Sequence, residues 1–548
     1  MIKYILSISF LILFIKGECF SQNKSNYTIK DSLRGAMRLE RMFDVRYYNL
    51  NIQIDPVKKY IKGSNTIDFI ALENLSQIQL DLFENMKINS ITYKGNELSY
   101  KRIHDAIFIN IKLSKDEKSQ ILIQYEGSPI AAKNPPWDGG FVWSKDSKKN
   151  PWVGVTCEGI GASLWWPNKD YLGDEPDSME MHFTVPSNLT AISNGRLVKT
   201  KKISPKLTSF HWAVSYPINN YNVSFYLGDY TSFSDVYTCK DSSLLNLDYY
   251  VLKENVEKAK KHFEQSKQTL EALEFYFGKY PFQKDGYALI ESPYVGMEHQ
   301  SAIAYGNQYQ RGYLGARIPD EFNFDYIILH ETAHEYWGNS VSCLDFSDFW
   351  IHESFATYSE ALYVEYFFGK EASQRYLDAQ KSSIQNKHAI IGPKDVNYIH
   401  TDVDVYYKGS WILHTLRKSI ENDSIWFTLI EGFYKKYAYS NATSKNFFDY
   451  FNNTIGKNYT GIFRQYFLWP TLPKLQYKVV ESGEITTVSY RWECIEQTFD
   501  LPVYLGLDRR RIKLYPTAEW KHIEFHKKFR LVAPVADNML IEIEKLIP

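Results

Sequence analysis

Cysteine is scarce in this chain, with 5 among 548 residues. The four that follow the N-terminal segment lie far apart, which is not the dense spacing of a disulfide-stabilised domain. A chain of this length buries enough apolar surface to fold without such bonds. We therefore expect these cysteines to be mostly free and buried: Cys157, Cys239, Cys343 and Cys494.

An excess of one charge is also lacking. The 63 Lys and Arg residues nearly balance the 64 Asp and Glu residues, for a formal net charge of -1. The chain has no block of Lys and Arg that would form a basic footprint, and the short Lys-rich stretch at 258–261 is typical of a solvated helix face. These features argue against nucleic acid as a partner.

Long apolar runs are absent after the N-terminus, so we expect no stable membrane span in the mature protein. Lys3 precedes an apolar run from Tyr4 to Ile15, which is too short for a bilayer but typical of a signal-peptide core. Residues 1–21 are therefore predicted to be a signal peptide, with export to the periplasm or the exterior. A lipid anchor at Cys19 is the alternative, which the charged residues just upstream disfavour.

The pattern of apolar residues changes twice along the chain, which is too long for a single core of roughly 250–300 residues. Alternation of apolar and polar residues predicts a β-rich domain over 22–232. Spacings of three and four then predict a mostly helical domain over 233–470, which opens with one long helix from Val256 to Phe277. Alternation returns in a small β-domain over 471–548. The fold class is multidomain α+β.

An H-E-x-x-H sequence lies in the helical part, at His330-Glu331-Thr332-Ala333-His334. Residues four apart share one face of a helix, so both imidazoles can meet one metal, with Glu331 beside it. Zinc accepts such nitrogen ligands, and a catalytic zinc keeps one position for water. We predict a zinc site with His330 and His334 as ligands and Glu331 as general base.

Spacing alone leaves two candidates for the third ligand. Glu353 lies nineteen residues beyond His334, at or just before the first turn of a predicted helix from Ala356 to Phe367. The neighbouring His352 is a competing ligand. Glu335 is a candidate partner for a ligand imidazole, because such ligands usually donate their other N–H to a nearby group.

Four motifs resemble the zinc aminopeptidases typified by aminopeptidase N and leukotriene-A hydrolase, a family of gluzincin metallopeptidases. They are His330-Glu331-x-x-His334 with Glu353, Gly296-Met297-Glu298-His299-Gln300, Tyr406-Tyr407-Lys408-Gly409, and Cys157-Glu158-Gly159. The resemblance covers nearly the whole mature chain. It implies an N-terminal β-saddle domain, a thermolysin-like catalytic domain with one zinc ion, and a small C-terminal β-sandwich.

The resemblance also implies roles for individual residues. It selects Glu353 as the third zinc ligand and Tyr406 as the donor to the oxyanion, with Tyr407 as the alternative. It places Gly296 and Met297 against the substrate. Three positions depart from the family pattern, and each could alter substrate preference: His299 and His352 replace Asn, and Ser354 replaces Gly.

An aminopeptidase must hold a free α-ammonium group, and carboxylates do so through charge-assisted hydrogen bonds. The motifs assign this role to Glu298 first and Glu158 second. We therefore expect an enzyme that removes N-terminal residues from peptides. The alternatives are a zinc endopeptidase, an epoxide hydrolase as in one branch of the family, and an inactive peptide-binding homologue.

Overall fold

The structure is a computed structural model that describes residues 27–400, 402–536 and 538–547. The predicted signal peptide and the alternative lipid site at Cys19 lie outside the described residues. In the described part of the chain, no helix is long and apolar enough to cross a membrane.

The N-terminal part starts with helix α1 (Ile29–Gly35) and continues almost entirely as strands. These strands are β1 (Phe43–Asp55), β2 (Tyr60–Ala71), β3 (Leu75–Asp81), β4 (Met86–Tyr93), β5 (Asn96–Glu97), β6 (Tyr100–Ile103), β7 (Ala106–Leu113), β8 (Lys118–Gly127), β9 (Gly140–Lys145), β10 (Pro151–Thr156), β11 (Ser178–Pro186), β12 (Thr190–Ser193), β13 (Arg196–Ser204), β14 (Leu207–Val214) and β15 (Phe225–Gly228).

The strands of this part form an eight-stranded, a four-stranded and a three-stranded sheet. The large sheet has the order β13-β14-β11-β1-β2-β8-β4-β5. Alternating residues of β1, such as Leu50, Ile52 and Ile54, are buried while their neighbours face outward. This is the period of two that the sequence predicted for half-buried strands.

The second part combines a five-stranded sheet, in the order β16-β17-β18-β20-β19, with most of the helices. Its elements are β16 (Tyr230–Thr238), β17 (Leu244–Leu252), α2 (Val256–His262), α3 (Gln265–Phe277), β18 (Tyr287–Glu291), β19 (Gly296–Met297), β20 (Ile303–Tyr305), α4 (Tyr326–His334), β21 (Val341–Cys343), α5 (Trp350–Phe368), α6 (Lys370–Lys381), α7 (Tyr407–Ile420), α8 (Asp423–Tyr437), β22 (Ser440–Ala442), α9 (Ser444–Ile455) and α10 (Thr460–Leu468).

The prediction of one long helix from Val256 to Phe277 is wrong. The chain forms α2 and α3, separated by a tight turn in which two amides bond to carbonyls three residues earlier. At this turn the ring of Phe263 is buried against Tyr249 and Tyr305. Tertiary packing of an aromatic side chain therefore accompanies the interruption of the helical pattern.

The C-terminal part consists of two small sheets. Its strands are β23 (Lys474–Ser482), β24 (Ile485–Glu493), β25 (Val503–Leu507), β26 (Arg510–Leu514), β27 (Lys521–Phe525), β28 (Val532–Val535) and β29 (Glu542–Lys545). One sheet has the order β27-β24-β23-β29 and the other β26-β25-β28. The α+β fold class, with β-rich N- and C-terminal parts around a helical part, is confirmed.

The cysteines agree with the prediction made from their scarcity. All four cysteines of the described residues are free, and Cys494 is half-buried while the other three are buried. Burial raises the pKa of the Cys157 thiol, which makes it an unreactive core residue.

Candidate metal centre and peptide-binding cleft

Helix α4 carries the two histidines of the H-E-x-x-H sequence. Its first turn is capped by the Asp325 carboxylate, which accepts from the amides of Ile327 and Ile328. Four-residue spacing places His330 and His334 on one face, with their rings nearly perpendicular at 81°. Both rings are buried, so they cannot turn freely into solvent.

Glu353 comes from the first turn of α5 and completes a triangle with the two imidazoles. Its Oε2 lies 3.4 Å from Nε2 of His330 and 3.4 Å from Nε2 of His334. The two Nε2 atoms are 3.2 Å apart. Three donor atoms thus converge on one point between α4 and α5.

These three residues fit a zinc ion. Donors bonded to a tetrahedral zinc at about 2.0–2.2 Å lie roughly 3.3–3.6 Å from one another, close to the edges of this triangle. Glu353 Oε2 is buried without a hydrogen-bond partner among the described residues. A buried carboxylate oxygen without a partner is costly unless a cation meets it.

The other ring nitrogen of each histidine is held by a neighbour. His330 Nδ1 lies 2.8 Å from the Glu360 carboxylate, and His334 Nδ1 donates to the carbonyl of Trp337 at 2.9 Å. Glu360 in turn accepts from the Tyr376 hydroxyl at 2.6 Å. These contacts direct both Nε2 atoms toward the metal position.

Sequence reasoning missed Glu360 and chose Glu335 as the candidate partner. Glu335 instead accepts from the Ser301 amide at 2.8 Å and the Tyr280 hydroxyl at 3.1 Å, and bonds to neither imidazole. Glu360 follows Glu353 by seven residues, which is two helical turns and therefore the same face of α5. This seven-residue spacing is the sequence signal that could have identified Glu360.

His352 does not point to the metal position. Its Nε2 accepts from the Cys343 amide at 2.8 Å, and its Nδ1 lies 3.4 Å from the Tyr221 hydroxyl. Both ring nitrogens are therefore engaged elsewhere, which leaves Glu353 as the carboxylate beside the two histidines.

Glu331 lines the cleft next to the imidazoles without joining the triangle. Burial raises the pKa of Glu331 to about 8, and the His330 charge opposes that rise. Gly296 on β19 packs directly against it, because a Cβ there would lie 2.5 Å from Glu331 Oε1. A side chain at position 296 would displace this carboxylate and crowd Ile327, so glycine leaves both in place.

Glu298 and Glu158 form an acidic end of the cleft, and the side chain of Met297 lines it beside them. Glu298 accepts from the Tyr221 hydroxyl at 3.0 Å, a contact between segments that are 77 residues apart in the chain. Burial and the nearby Glu298 charge raise the pKa of Glu158 well above its usual range. Two close carboxylates favour binding of a positively charged group between them.

Tyr406 lies just before α7 and faces the centre, with its ring 6.2 Å from that of His330. Burial and the Glu353 charge raise its pKa well above the usual range, so the phenol stays protonated as a donor. Tyr407 also lines the cleft. Ser354 helps to fix this segment, because its hydroxyl donates to the Val405 carbonyl at 2.6 Å.

His299, which replaces the Asn of the resembled motif, is fully buried behind the cleft. Its Nδ1 lies 2.6 Å from the Tyr226 hydroxyl, which itself donates to the Ala302 carbonyl. The imidazole therefore supports the strand that carries Gly296 and Met297.

The cleft collects the predicted side chains in one place. Its lining is Pro136, Trp137, Glu158, Val295, Gly296, Met297, Glu298, Tyr313, Arg317, Tyr326, Ile327, His330, Glu331, His334, Glu353, Val403, Tyr406 and Tyr407. Two imidazoles and a carboxylate converge from two helices, and a separate glutamate lies beside them. This arrangement defines the class of H-E-x-x-H metallopeptidases.

The comparison with family models agrees with this class. Residues 261–466 match the model of the peptidase family M1 domain. This part of the chain is therefore similar to the peptidase family M1 domain, and the resemblance stated from its motifs is confirmed.

Curated relatives carry aminopeptidase names. The chain is 27% identical over 293 residues to endoplasmic reticulum aminopeptidase 1 of Mus musculus, covering 50% of this chain and 30% of the relative. It is 24% identical over 476 residues to aminopeptidase N of Lactobacillus helveticus, covering 82% of this chain and 53% of the relative. The chain thus spans about a third to a half of these relatives.

Solved structures share the fold. One is an M1 zinc metallopeptidase mutant of Deinococcus radiodurans bound to a Tyr-Ser-Ala substrate, with a TM-score of 0.65 and 19% identity. The match covers 79% of this chain and 95% of that one. A two-domain M1 zinc metallopeptidase mutant bound to L-tryptophan matches with a TM-score of 0.67.

Proposed function

We propose that this protein is a zinc-dependent aminopeptidase that hydrolyses the N-terminal residue from peptides with a free N-terminus. One zinc ion per chain would be held by His330, His334 and Glu353. The observation that carries the proposal is the acidic end formed by Glu298 and Glu158, which lies in the same cleft as the metal triangle.

Glu298 and Glu158 bind the substrate ammonium and so fix which bond lies at the metal position. An ammonium between two carboxylates gains charge-assisted hydrogen bonds and relieves their mutual repulsion. A peptide blocked at its N-terminus lacks this interaction. The anchor therefore limits cleavage to the first peptide bond.

Glu331 transfers the proton of the reaction, and Tyr406 stabilises the negative charge that develops. Zinc, when bound, supplies a Lewis acid and lowers the pKa of its water to about 7. Glu331 takes the proton of the attacking water and passes it to the leaving amine. Tyr406 donates its phenolic hydrogen to the oxygen on which negative charge develops.

Three further proposals follow from the sequence and from the comparisons. The domain boundaries are 22–232, 233–470 and 471–548, which the changes in apolar periodicity support. The protein is exported, which Lys3 and the apolar run after it support. Its partners are peptides, because the relatives are named aminopeptidases and one structural neighbour holds a Tyr-Ser-Ala substrate.

A panel of aminoacyl fluorogenic substrates, with and without a chelator, tests the proposed function. We expect hydrolysis of free aminoacyl substrates, loss of activity with the chelator, and recovery with added zinc. N-acetylated substrates should resist hydrolysis. Internal cleavage of blocked peptides at an equal rate would favour an endopeptidase, and zinc binding without turnover would favour a peptide-binding homologue.

A further inference from the structure

The cleft is acidic at one end, where Glu298 lies close to the last turn of α4. The carboxylate of Glu298 and the potential ligand atoms of Glu331 and His334 all lie within 4.8 Å of one another. The proposed ammonium anchor therefore lies on the His334 side of the metal triangle.

Arg317 lies toward the other end of α4. Tyr326 is the first residue of that helix, and its ring stacks on His330 at 5.1 Å. Arg317, Tyr326 and Tyr407 line both the cleft and the depression that adjoins it. The helix axis rises about 12 Å from Tyr326 to His334, so the acidic end and Arg317 lie on opposite sides of the triangle.

Arg317 differs from two nearby arginines in its ion pairing. Arg311 and Arg375 pair with Asp320 and Glu321, at 3.4 Å and 2.8 Å. Among the described residues Arg317 forms no such ion pair, and it is the one Lys or Arg that lines the cleft. Its guanidinium lies 4.5 Å from the ring centre of Tyr313, which leaves its N–H groups available.

Two further observations place this cation at the cleft. Burial raises the pKa of Tyr407, and the Arg317 charge opposes that rise, so the guanidinium lies near the phenol. Arg317 also has φ of 64°, in the left-handed region that favours glycine. Residues held in that region are often found at ligand-binding positions.

We propose that Arg317 binds a carboxylate on the leaving side of the peptide and thereby sets substrate preference. An extended peptide rises about 3.3 Å per residue, so a span of about 12 Å covers the first three to four residues, and the carboxylate would lie within them. It would be the C-terminal carboxylate of a short peptide or an acidic side chain near the scissile bond. This inference rests on the proposed function, because the orientation of the peptide depends on the ammonium anchor.

The experiment compares kcat/KM for Ala-Ala-Ala with its C-terminal amide, and for Ala-Asp-amide with Ala-Asn-amide. The first pair isolates the terminal carboxylate and the second an acidic side chain. We expect the wild type to prefer the acid by about fivefold in at least one pair, mainly through KM. Arg317→Gln should reduce that preference to about twofold or less, and Arg317→Lys should retain part of it.

Arg375→Gln is the matched control, because it removes an equal charge from an exposed position outside the cleft. An acid preference that is absent in both pairs, or unchanged in Arg317→Gln, would overturn the inference. A fluorogenic Ala-amide carries no carboxylate, so Arg317→Gln should lower its kcat/KM less than it lowers that of Ala-Ala-Ala. Failure of the wild type to cleave that substrate would instead contradict the proposed function.

Binding to the zinc-loaded Glu331→Gln protein further separates the proposed role of Arg317 from the proposed aminopeptidase activity. Its affinity for Ala-Ala-Ala and for the amide can be measured without turnover. The acid should bind about fivefold more tightly, and the difference should shrink at high salt, because exposed charges are screened. Equal affinities at low salt, together with no acid preference for Ala-Asp-amide, would count against Arg317 as a carboxylate site.

Discussion

Two clusters in this molecule each combine two histidines with one glutamate. The cleft cluster is His330, His334 and Glu353, and the sheet cluster is Glu180, His182 and His211 on β11 and β14. The sheet cluster arises from cross-strand pairing, because His182 and His211 lie directly opposite each other. The two clusters thus share the same residue types but differ in their surroundings.

The difference is in orientation. The imidazoles of the cleft cluster are perpendicular and their Nε2 atoms face each other at 3.2 Å. Those of the sheet cluster are stacked 4.1 Å apart at 21°, so their nitrogen lone pairs point side by side. The three sheet residues are also only half-buried, whereas the three cleft residues are buried. Residue composition alone does not make a metal centre; buried partners that aim the nitrogens do.

Removal of one histidine from each cluster gives the largest expected contrast. His334→Ala should lose the zinc and reduce kcat/KM by at least about 10⁴-fold, because the donor triangle is broken. His211→Ala should keep one zinc per chain and nearly full activity. Elemental analysis with a turnover assay checks both. Equal zinc loss in the two variants would contradict the distinction between the clusters.

Replacement of one glutamate at each cluster separates catalysis from metal binding. Glu331→Gln should retain zinc and lower kcat by about 10²–10⁴-fold, since the amide cannot accept the proton of the water. Glu180→Gln on the sheet should leave both quantities unchanged. Near-normal turnover in zinc-loaded Glu331→Gln would argue against its role as general base.

Tyr406 and Tyr407 allow a comparison within the cleft. Tyr406→Phe should lower kcat by about 10²–10³-fold with zinc retained, because it removes one donor to the oxyanion. Tyr407→Phe should have a much smaller effect. Steady-state kinetics of both variants shows which tyrosine donates to the oxyanion. A larger loss of kcat in Tyr407→Phe would assign that role to Tyr407.

Glu298→Gln should have a smaller effect, on substrate binding. Loss of a charge-assisted hydrogen bond costs about 1.5–3 kcal/mol, which corresponds to roughly 10- to 150-fold in kcat/KM for free aminoacyl substrates. Glu180→Gln again serves as the control. If Glu298→Gln cleaves free substrates as well as the wild type does, the ammonium anchor lies elsewhere.

The sequence predicts the local part of the site well. His330 and His334 follow from a four-residue spacing on a helix, and Gly296 follows from a motif whose glycine faces Glu331. The oxygen of Glu353 joins them only through the packing of α5 on α4, so spacing alone left His352 as a rival. The structure shows both nitrogens of His352 engaged elsewhere.

Contacts between distant segments could not be read from the sequence. Glu360 reaches His330 through helix packing, and Tyr221 reaches Glu298 from a different part of the chain. The interruption between α2 and α3 is similar, because the residues that pack on Phe263 are distant in sequence. Periodicity reports which face of an element is buried, and not which partner covers it.

The most direct test of the central claim is mass spectrometry of the products from an unblocked peptide, incubated with zinc-loaded wild type and with zinc-loaded Glu331→Gln. The wild type should release the first residue and accumulate the peptide shortened by one. Glu331→Gln should leave the peptide intact while it retains zinc. Internal fragments from the wild type, or equal shortening by Glu331→Gln, would contradict a zinc aminopeptidase that uses Glu331 as its base.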